Sequence, residues 1–399
     1  MASLIPVLAV LVVVVVLVAV FMGARLSAAA PTATVTPTLA STFKVDGTQG
    51  ALSWAATGQS AIAVPSVGIN VASGTETAAP IASLTKIMTA YIILRDHPLG
   101  ANASGPKLTM TQADVNDFNN DTVQDEANAQ VNLGEILTER QLLGGMLVHS
   151  ANNFADTLAV WDAGSVSAFV AKMNRTAQQL GMDHTQYADP SGFSAASVST
   201  ASDLLKVAVP DMANPAFASL VQMPAITLPV AGEIASYTPL LGVEGVIGVK
   251  SGFTSQAGGG DILAVVRRVH GFPTLVISAV TGQEGPNVLY EAGLDALELA
   301  NETATNVGAT TVISSGQTVA RVTAAGHTVS ATVRGTASVL SWPGIEATRR
   351  FQQTRVVKAG TKAGTRIGSE IVTAGTQRSV LPVYLQRSLP PESTFQRVF

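Results

Sequence analysis

The chain has 399 residues, room for two or three domains, and 47 % of them are hydrophobic against 13 % charged, so it can bury large cores and is no disordered tail. It contains no cysteine, which excludes a disulfide framework and thiolate metal sites together. The net charge of −4 is unevenly placed: from Gly308 onward there are 11 basic and 3 acidic residues, and before it 12 basic and 24 acidic. A break of that size suggests two bodies with different surroundings.

The first 24 residues carry no charged side chain, and Leu4 to Met22 (LIPVLAVLVVVVVLVAVFM) is an unbroken apolar run close to the ~20 residues that cross a bilayer. Two readings stand: an uncleaved anchor, or a secretory signal cut near Ser27–Pro31, whose small residues suit a signal peptidase. A basic region before the run is missing, and the run is long for a signal. Either reading gives residues 1–30 to export and places the remainder beyond the cytoplasmic membrane.

Residues 31–45 are rich in Ala, Pro and Thr and read as an extended linker. Between Gly50 and Val71, segments such as SAIAVPSVGINV read as strands broken by turns. Helical patterns follow over Ser83–Arg95, Glu135–Val148, Asn153–Asp162 and Val166–Leu180, and Thr200–Asp203 has the form of a capping box. Strand patterns return in VEGVIGVKSGFT, GDILAVVRRV and PTLVISAVTG, before a last helix through PNVLYEAGLDALELA. Strands at both ends of a helical middle imply a sheet closed by sequence-distant strands, an α+β arrangement spanning 46–305. Residues 306–399 alternate apolar and polar positions with Gly between and read as a small all-β domain.

One stretch raises a chemical question. In AAPIASLTKIMTAYIILRD a helix is predicted from about Pro80, with Ser83 in its first turn and Lys86 three residues on, among Ile81, Leu84, Ile87, Met88, Tyr91 and Ile92. A serine hydroxyl is a poor nucleophile until a base takes its proton. The five histidines (His97, His149, His184, His270, His327) lie far apart with no H-x-x-x-H or H-E-x-x-H pair, so a metal hydrolase is not indicated and no histidine is placed to help. A lysine can serve if burial among apolar groups removes its proton, and i, i+3 spacing puts Lys86 beside Ser83. Free N–H groups at the helix start would face an oxyanion formed there. A second S-x-x-K, Ser41–Lys44, lacks any apolar helical stripe and reads as chance.

Two further triplets follow in order. Ser150-Ala151-Asn152 is the chain's only S-x-N, at a break between helical patterns, and Lys250-Ser251-Gly252 its only K-[ST]-G, on a strand-like run, at intervals of 67 and 100 residues. Alone, Ser150 would read as a helix cap and Lys250 as a surface lysine. S-x-x-K, S-x-N and K-[ST]-G together form the signature of penicillin-binding proteins and class A β-lactamases.

With these residues in place, the stretch from about Ser53 to Ala300 resembles the low-molecular-mass penicillin-binding proteins, the D-alanyl-D-alanine carboxypeptidases. PIASLTKIMTAY, HSANNFADTLA, GMDHTQYADPSGF and GVIGVKSGFTSQAGG all look like that family's blocks, and KAGTRIGSEIV faintly resembles its β-rich domain. Two departures are Ser251 in place of the commoner threonine and Ala151 in the middle of S-x-N. The resemblance implies a penicillin-binding-protein/β-lactamase-like domain, an antiparallel sheet with a helical subdomain, followed by the small all-β domain. It also implies an acyl-enzyme route: Ser83 as nucleophile, Lys86 as base, and Ser150, with or without Lys250, passing a proton to the leaving amine. Asn152 would orient Lys86 and the substrate amide. Lys250, Ser251 and Thr254 would hold the terminal carboxylate, with Gly252 in the same motif, and the N–H groups of Ser83 and Phe253 would form the oxyanion hole.

The implied partners are stem peptides ending in D-Ala-D-Ala, β-lactams as covalent inhibitors, and the cytoplasmic membrane through the N-terminal segment. No cofactor is expected, neither a P-loop nor a G-x-G-x-x-G appears, and no aromatic interleaving points to nucleic acid. A class A-like β-lactamase is the nearest rival; its glutamate has no match, since only Glu233 and Glu244 lie between Ser150 and Lys250 and neither sits in E-x-x-L-N. The other rival is a catalytically silent, membrane-tethered wall-binding protein. The basic tail reads either as solvated faces or as a platform toward anionic wall polymers or lipid headgroups. Asp189 and Gly192 in DPSGF read as turn residues.

Overall fold

The structure is a computed structural model that describes residues 4–395, and these form two compact units. Thr48–Gly308 is one; the segments on either side of it, up to Gly47 and from Ala309, together make the other. The apolar N-terminal run forms α1 (Leu4–Leu26), in which Val7–Leu26 is long and apolar enough to cross a bilayer. Two short strands follow, β1 (Thr34–Pro37) and β2 (Thr42–Lys44).

Thr48–Gly308 opens on the hairpin β3 (Gln59–Val64) and β4 (Ile69–Ala72). A helical body comes next: a 3₁₀ turn (Ala82–Thr85) running into α2 (Lys86–Asp96), then α3 (Gln112–Val123), α4 (Glu139–Val148), α5 (Asn152–Ala163), α6 (Val166–Gln179), α7 (Ala201–Ala213) and α8 (Pro215–Val221). Short strand pairs brace it: β5 (Ala79–Pro80) on β8 (Val198–Ser199), β6 (Lys107–Thr109) on β7 (Ile136–Thr138), and β9 (Ala225–Leu228) on β10 (Gly232–Ala235). The long strands β11 (Val246–Thr254), β12 (Gly258–Val269) and β13 (Phe272–Gln283) then return to the hairpin. They give the antiparallel order β11-β12-β13-β3-β4, with α9 (Val288–Asn306) packed on β12 and β13. The predicted sheet of sequence-distant strands is therefore present. Its core holds the stripe around Lys86: Ile81, Leu84, Ile87, Met88 and Ile92 are all buried, which sets α2 inside the unit rather than on it.

Three local expectations change. Glu135–Thr138 is not the start of a helix: Ile136–Thr138 is β7, and Thr138 caps α4 in a reciprocal box with Gln141. α3 was not foreseen, because QADVNDFNNDTV carries too thin an apolar stripe; a Thr111–Asp114 capping box starts it instead. At α7, Thr200 accepts from the Asp203 N–H at 3.2 Å, but the Asp203 carboxylate turns to the His184 N–H at 2.9 Å and to Lys206 at 2.7 Å, so only half of the predicted box forms.

The last segment is all β, as its alternation predicts: β14 (Gly308–Ile313), β15 (Thr318–Ala324), β16 (His327–Val333), β17 (Ala337–Ser341), β18 (Glu346–Gln353), β19 (Arg366–Ala374) and β20 (Gln377–Leu385). A seven-stranded sheet runs β1-β15-β16-β20-β19-β18-β2, beside a β14–β17 pair. The expectation of a linker over 31–45 is thus corrected. β1 pairs with β15 and β2 with β18, one at each edge of the sheet, while Val35 and Phe43 pack on its core. Open sheet edges carry unpaired N–H and C=O groups, and an extended β-branched segment such as Thr34–Thr36 satisfies them.

Candidate active site

The turn before α2 is 3₁₀ rather than α-helical, with Ala82 at φ 46°. Its tighter winding nearly eclipses positions i and i+3, which brings the Lys86 side chain back over Ser83. Lys86 Nζ lies 2.8 Å from Ser83 Oγ, 2.6 Å from Asn152 Oδ1 and 2.8 Å from the Ser191 carbonyl oxygen. The side chain is fully buried, and that desolvation, with the nearby charge of Lys250, holds its pKa well below the usual lysine range; Asp189, Asp156 and Glu126 oppose the shift in part. A neutral amine donates two hydrogens, which Asn152 and Ser191 can take, and turns its lone pair to the third neighbour, the Ser83 hydroxyl.

The S-x-N stretch joins α4 to α5. Ser150 sits at φ +64° and does not cap the helix; the N-cap is Ala151, with no side-chain bond. That left-handed step turns Asn152 inward, where Oδ1 meets Lys86 and Nδ2 donates to Glu126 Oε2 at 2.5 Å. With a carboxylate oxygen at one end of the amide and an amine at the other, the orientation of Asn152 is set. The Asn152 N–H donates to the Ala127 carbonyl at 2.8 Å, which ties the Glu126 loop to α5.

K-S-G lies on β11, the edge of the five-stranded sheet. Lys250 is buried rather than on the surface, and its Nζ donates to the Ser251 carbonyl at 2.7 Å. Burial pulls its pKa down to about 8, against an upward influence from Asp261, whose own carboxyl is pushed well up by burial. Ser251 Oγ donates to the Tyr237 carbonyl at 2.7 Å. A Cβ on Gly252 would stand 2.8 Å from the Ser83 nitrogen, so only glycine lets β11 pass this close to the serine turn.

Ser83, Ser150, Ser251, Gly252 and the exposed Phe253 line one cleft of about 340 Å³, closed by Glu126 and Tyr237. A larger groove of about 660 Å³ near Arg267 and Asn301 contains none of the three motifs. Thr254, the last residue of β11, accepts from the Ala257 N–H at 3.1 Å in the turn that follows. The second S-x-x-K has its serine and lysine exposed at β2.

Ser191 and Glu126 carry no signal in the sequence, and Asp189 and Gly192 read there only as turn residues. In DPSGF, Gly192 does turn the chain, at φ +84°, but a Cβ there would strike the Ala82 carbonyl, so the turn is pressed against the serine turn. It delivers the Ser191 carbonyl to Lys86. Asp189 holds the loop, accepting from Ser191 Oγ at 2.9 Å, the Ser194 N–H at 3.2 Å and Ser197 Oγ. Glu126 lies in QDEANAQ, which has no periodicity and no motif to mark it. Among the described residues, no group of three or more His, Cys, Asp or Glu is arranged to hold a metal ion.

The fold is that of the DD-peptidases among penicillin-binding proteins. The Streptomyces K15 DD-transpeptidase superposes with a TM-score of 0.55 at 25 % identity, covering 64 % of this chain and 98 % of that one. The D-alanyl-D-alanine carboxypeptidase DacD of Francisella tularensis, 17 % identical, shares the fold with a TM-score of 0.57 over 86 % of this chain and 95 % of that one. Residues 55–282 match the profile of the D-alanyl-D-alanine carboxypeptidase family, more than half of the chain, and the chain belongs to that family. Its relatives include the D-alanyl-D-alanine carboxypeptidase DacB2 of Mycobacterium tuberculosis, 37 % identical over 164 residues, which are 38 % of this chain and 56 % of that protein. The D-alanyl-D-alanine endopeptidase of Pseudomonas aeruginosa is 32 % identical over 190 residues, 45 % of this chain and 57 % of that protein. The chain therefore spans a little over half the length of these curated relatives.

Proposed function

We propose that the protein is a serine-type D-alanyl-D-alanine carboxypeptidase, releasing the terminal D-Ala of peptidoglycan stem peptides through an acyl-enzyme, and that penicillins acylate the same serine. The observation that carries this is the fully buried Lys86 amine 2.8 Å from Ser83 Oγ, with Asn152 and Ser191 taking its hydrogens. Lys86 accepts the Ser83 proton as Oγ attacks the penultimate D-Ala carbonyl, and the N–H groups of Ser83 and Phe253 receive the developing oxyanion. Lys250, with a pKa near 8, is largely protonated at neutral pH; it attracts the free carboxylate of the substrate beside Ser251 and, with Ser150, returns a proton to the leaving D-Ala amine. Water then hydrolyses the ester.

In this reading residues 46–305 are the catalytic body, and α1 carries it to the outer face of the cytoplasmic membrane as an anchor. Incubation with a pentapeptide stem tests the assignment. Free D-Ala with a tetrapeptide is the expected product. A new cross-link, cleavage of a cross-linked dimer without release of D-Ala, or rapid turnover of penicillin would instead mark a transpeptidase, an endopeptidase or a β-lactamase.

A further inference from the structure

α1 ends at Leu26 and the chain enters the β-rich unit almost at once. Thr32 bridges Lys358, the Ala33 N–H donates to the Val357 carbonyl at 2.8 Å, and the Ala359 N–H donates to the Pro31 carbonyl at 3.2 Å. Thr32 is six residues past Leu26, a reach of at most about 20 Å even if fully extended. The real reach is shorter, because Ser27 still bonds back to Gly23 and Ala28 to Arg25. The loop between β18 and β19, residues 354–365, is thereby held at the foot of an apolar helix long enough to span a bilayer.

That loop is basic and turned outward. Arg355, Lys358 and Lys362 are exposed, and Val356, between the first two, is 65 % exposed. The segment after β20 bonds to the loop through Gly360 N–H to Pro390 O and Leu389 N–H to Thr361 O, bringing the exposed Arg387 alongside. Across 354–365 and 386–392 the one acidic residue is Glu392. Other cations of this unit serve the fold: Arg349 donates to the Ala40 and Thr42 carbonyls, Arg366 to Ser369, and Arg334 lies over the Tyr384 ring. By contrast, the side chains of Arg355, Lys358, Lys362 and Arg387 have no hydrogen-bond or ion-pair partner among the described residues. Four unpartnered cations, two of them flanking an exposed valine, close to a helix long enough to span a bilayer, match a layer of anionic headgroups over hydrocarbon.

We propose that the 354–365 loop, with Arg387 and the helix-end Arg25, is a docking surface that seats the β-rich unit on anionic lipid headgroups at the outer face of the membrane crossed by α1. This rests on reading α1 as an uncleaved anchor. A wall polymer has similar charge, but the loop's tie to residues 31–33 keeps it within reach of the bilayer surface.

The absence of native cysteine makes the test direct. Val356→Cys in the full chain, labelled with an environment-sensitive fluorophore, is reconstituted into phosphatidylcholine vesicles with and without phosphatidylglycerol. Phosphatidylglycerol should give a severalfold, blue-shifted rise in emission that lipid-borne quenchers remove. About 1 M salt, where the screening length is about 3 Å, should reverse it. Adding Arg355→Glu, Lys358→Glu and Lys362→Glu should return the signal to its phosphatidylcholine level. A label at Ser315→Cys, beyond the far end of β15, should stay aqueous, and penicillin labelling should persist in every variant as the check on folding and on the active-site assignment. A chain that floats with the vesicles while residue 356 ignores phosphatidylglycerol overturns the docking surface and leaves the anchor intact. Failure to float overturns the anchor and the docking surface together. A response to anionic wall fragments but not to phosphatidylglycerol assigns the loop to the wall and overturns the proposal.

Discussion

Ser41–Lys44 and Ser83–Lys86 share one pattern, yet the second sets a buried amine 2.8 Å from its hydroxyl, while the first has both residues exposed. Lys44 ends β2, an exposed edge strand, and Ser41 sits at the bend before it, so no helical turn sets the two side chains together. Lys86 leaves a 3₁₀ turn, where i and i+3 nearly eclipse, and enters a core that strips its water. The spacing of a motif is thus far from sufficient; backbone curvature and burial bring the amine to the hydroxyl and lower its pKa.

The sharpest way to break this contrast is to remove each hydroxyl. Ser83→Ala should abolish covalent labelling by penicillin with the thermal transition retained, while Ser41→Ala should label like the parent. The reverse result would mean that the exposed copy is the nucleophile.

Replacing the two lysines comes next in size. Lys86→Arg keeps a cation but cannot lose its proton, so acylation should fall by about 10²–10⁴-fold, as for loss of a general base. Lys44→Arg should leave the rate unchanged. Stopped-flow acylation by a chromogenic β-lactam measures both.

Lys250 sharpens the comparison, because its charge helps to depress Lys86. If Lys250 holds the substrate carboxylate as proposed, Lys250→Gln removes a charge-assisted contact worth about 1.5–3 kcal/mol, so kcat/KM should drop about 10- to 150-fold for a peptide with a free C-terminus and much less for its amide. Equal losses would remove Lys250 from the carboxylate site. With the repulsion gone, the Lys86 pKa rises, so the acid limb of the acylation profile should move to higher pH. A limb that stays or moves down contradicts the coupling.

The smallest effect is on stability. Lys86 has a folded pKa below its unfolded value, so the unfolded chain binds more protons between the two. Its contribution to stability is fully present above about 10.5 and is lost as pH falls toward the folded pKa. Lys86→Met should therefore flatten the rise of Tm with pH across that window. Parallel Tm–pH curves for parent and Lys86→Met would show that the amine is not desolvated.

Legibility followed the range of the physics. Periodicity located α2, α5 and α6 closely, because an apolar stripe is a local record of burial. It missed α3, whose stripe is thin, and read β7 as helix, because three residues of strand are too few to show a period. At the site, the three motifs marked Ser83, Lys86, Ser150, Asn152 and Lys250 through residue type and order. Glu126 stayed invisible, since nothing in QDEANAQ says that its carboxylate will meet the Asn152 amide.

By itself, the sequence determined the α+β body with sequence-distant strands, the all-β tail, the apolar N-terminal run, and which serine had a lysine at helical spacing in apolar company. Those properties are written in neighbouring residues, where composition and period act directly. The tertiary structure alone decided that residues 31–45 would become edge strands, that the Ser191 carbonyl would take a hydrogen of Lys86, and that Gly252 would lie against the Ser83 nitrogen. Each of these joins groups far apart in the chain through backbone atoms, and a backbone carbonyl or N–H is the same at every residue. Only the path of the folded chain determines which one arrives.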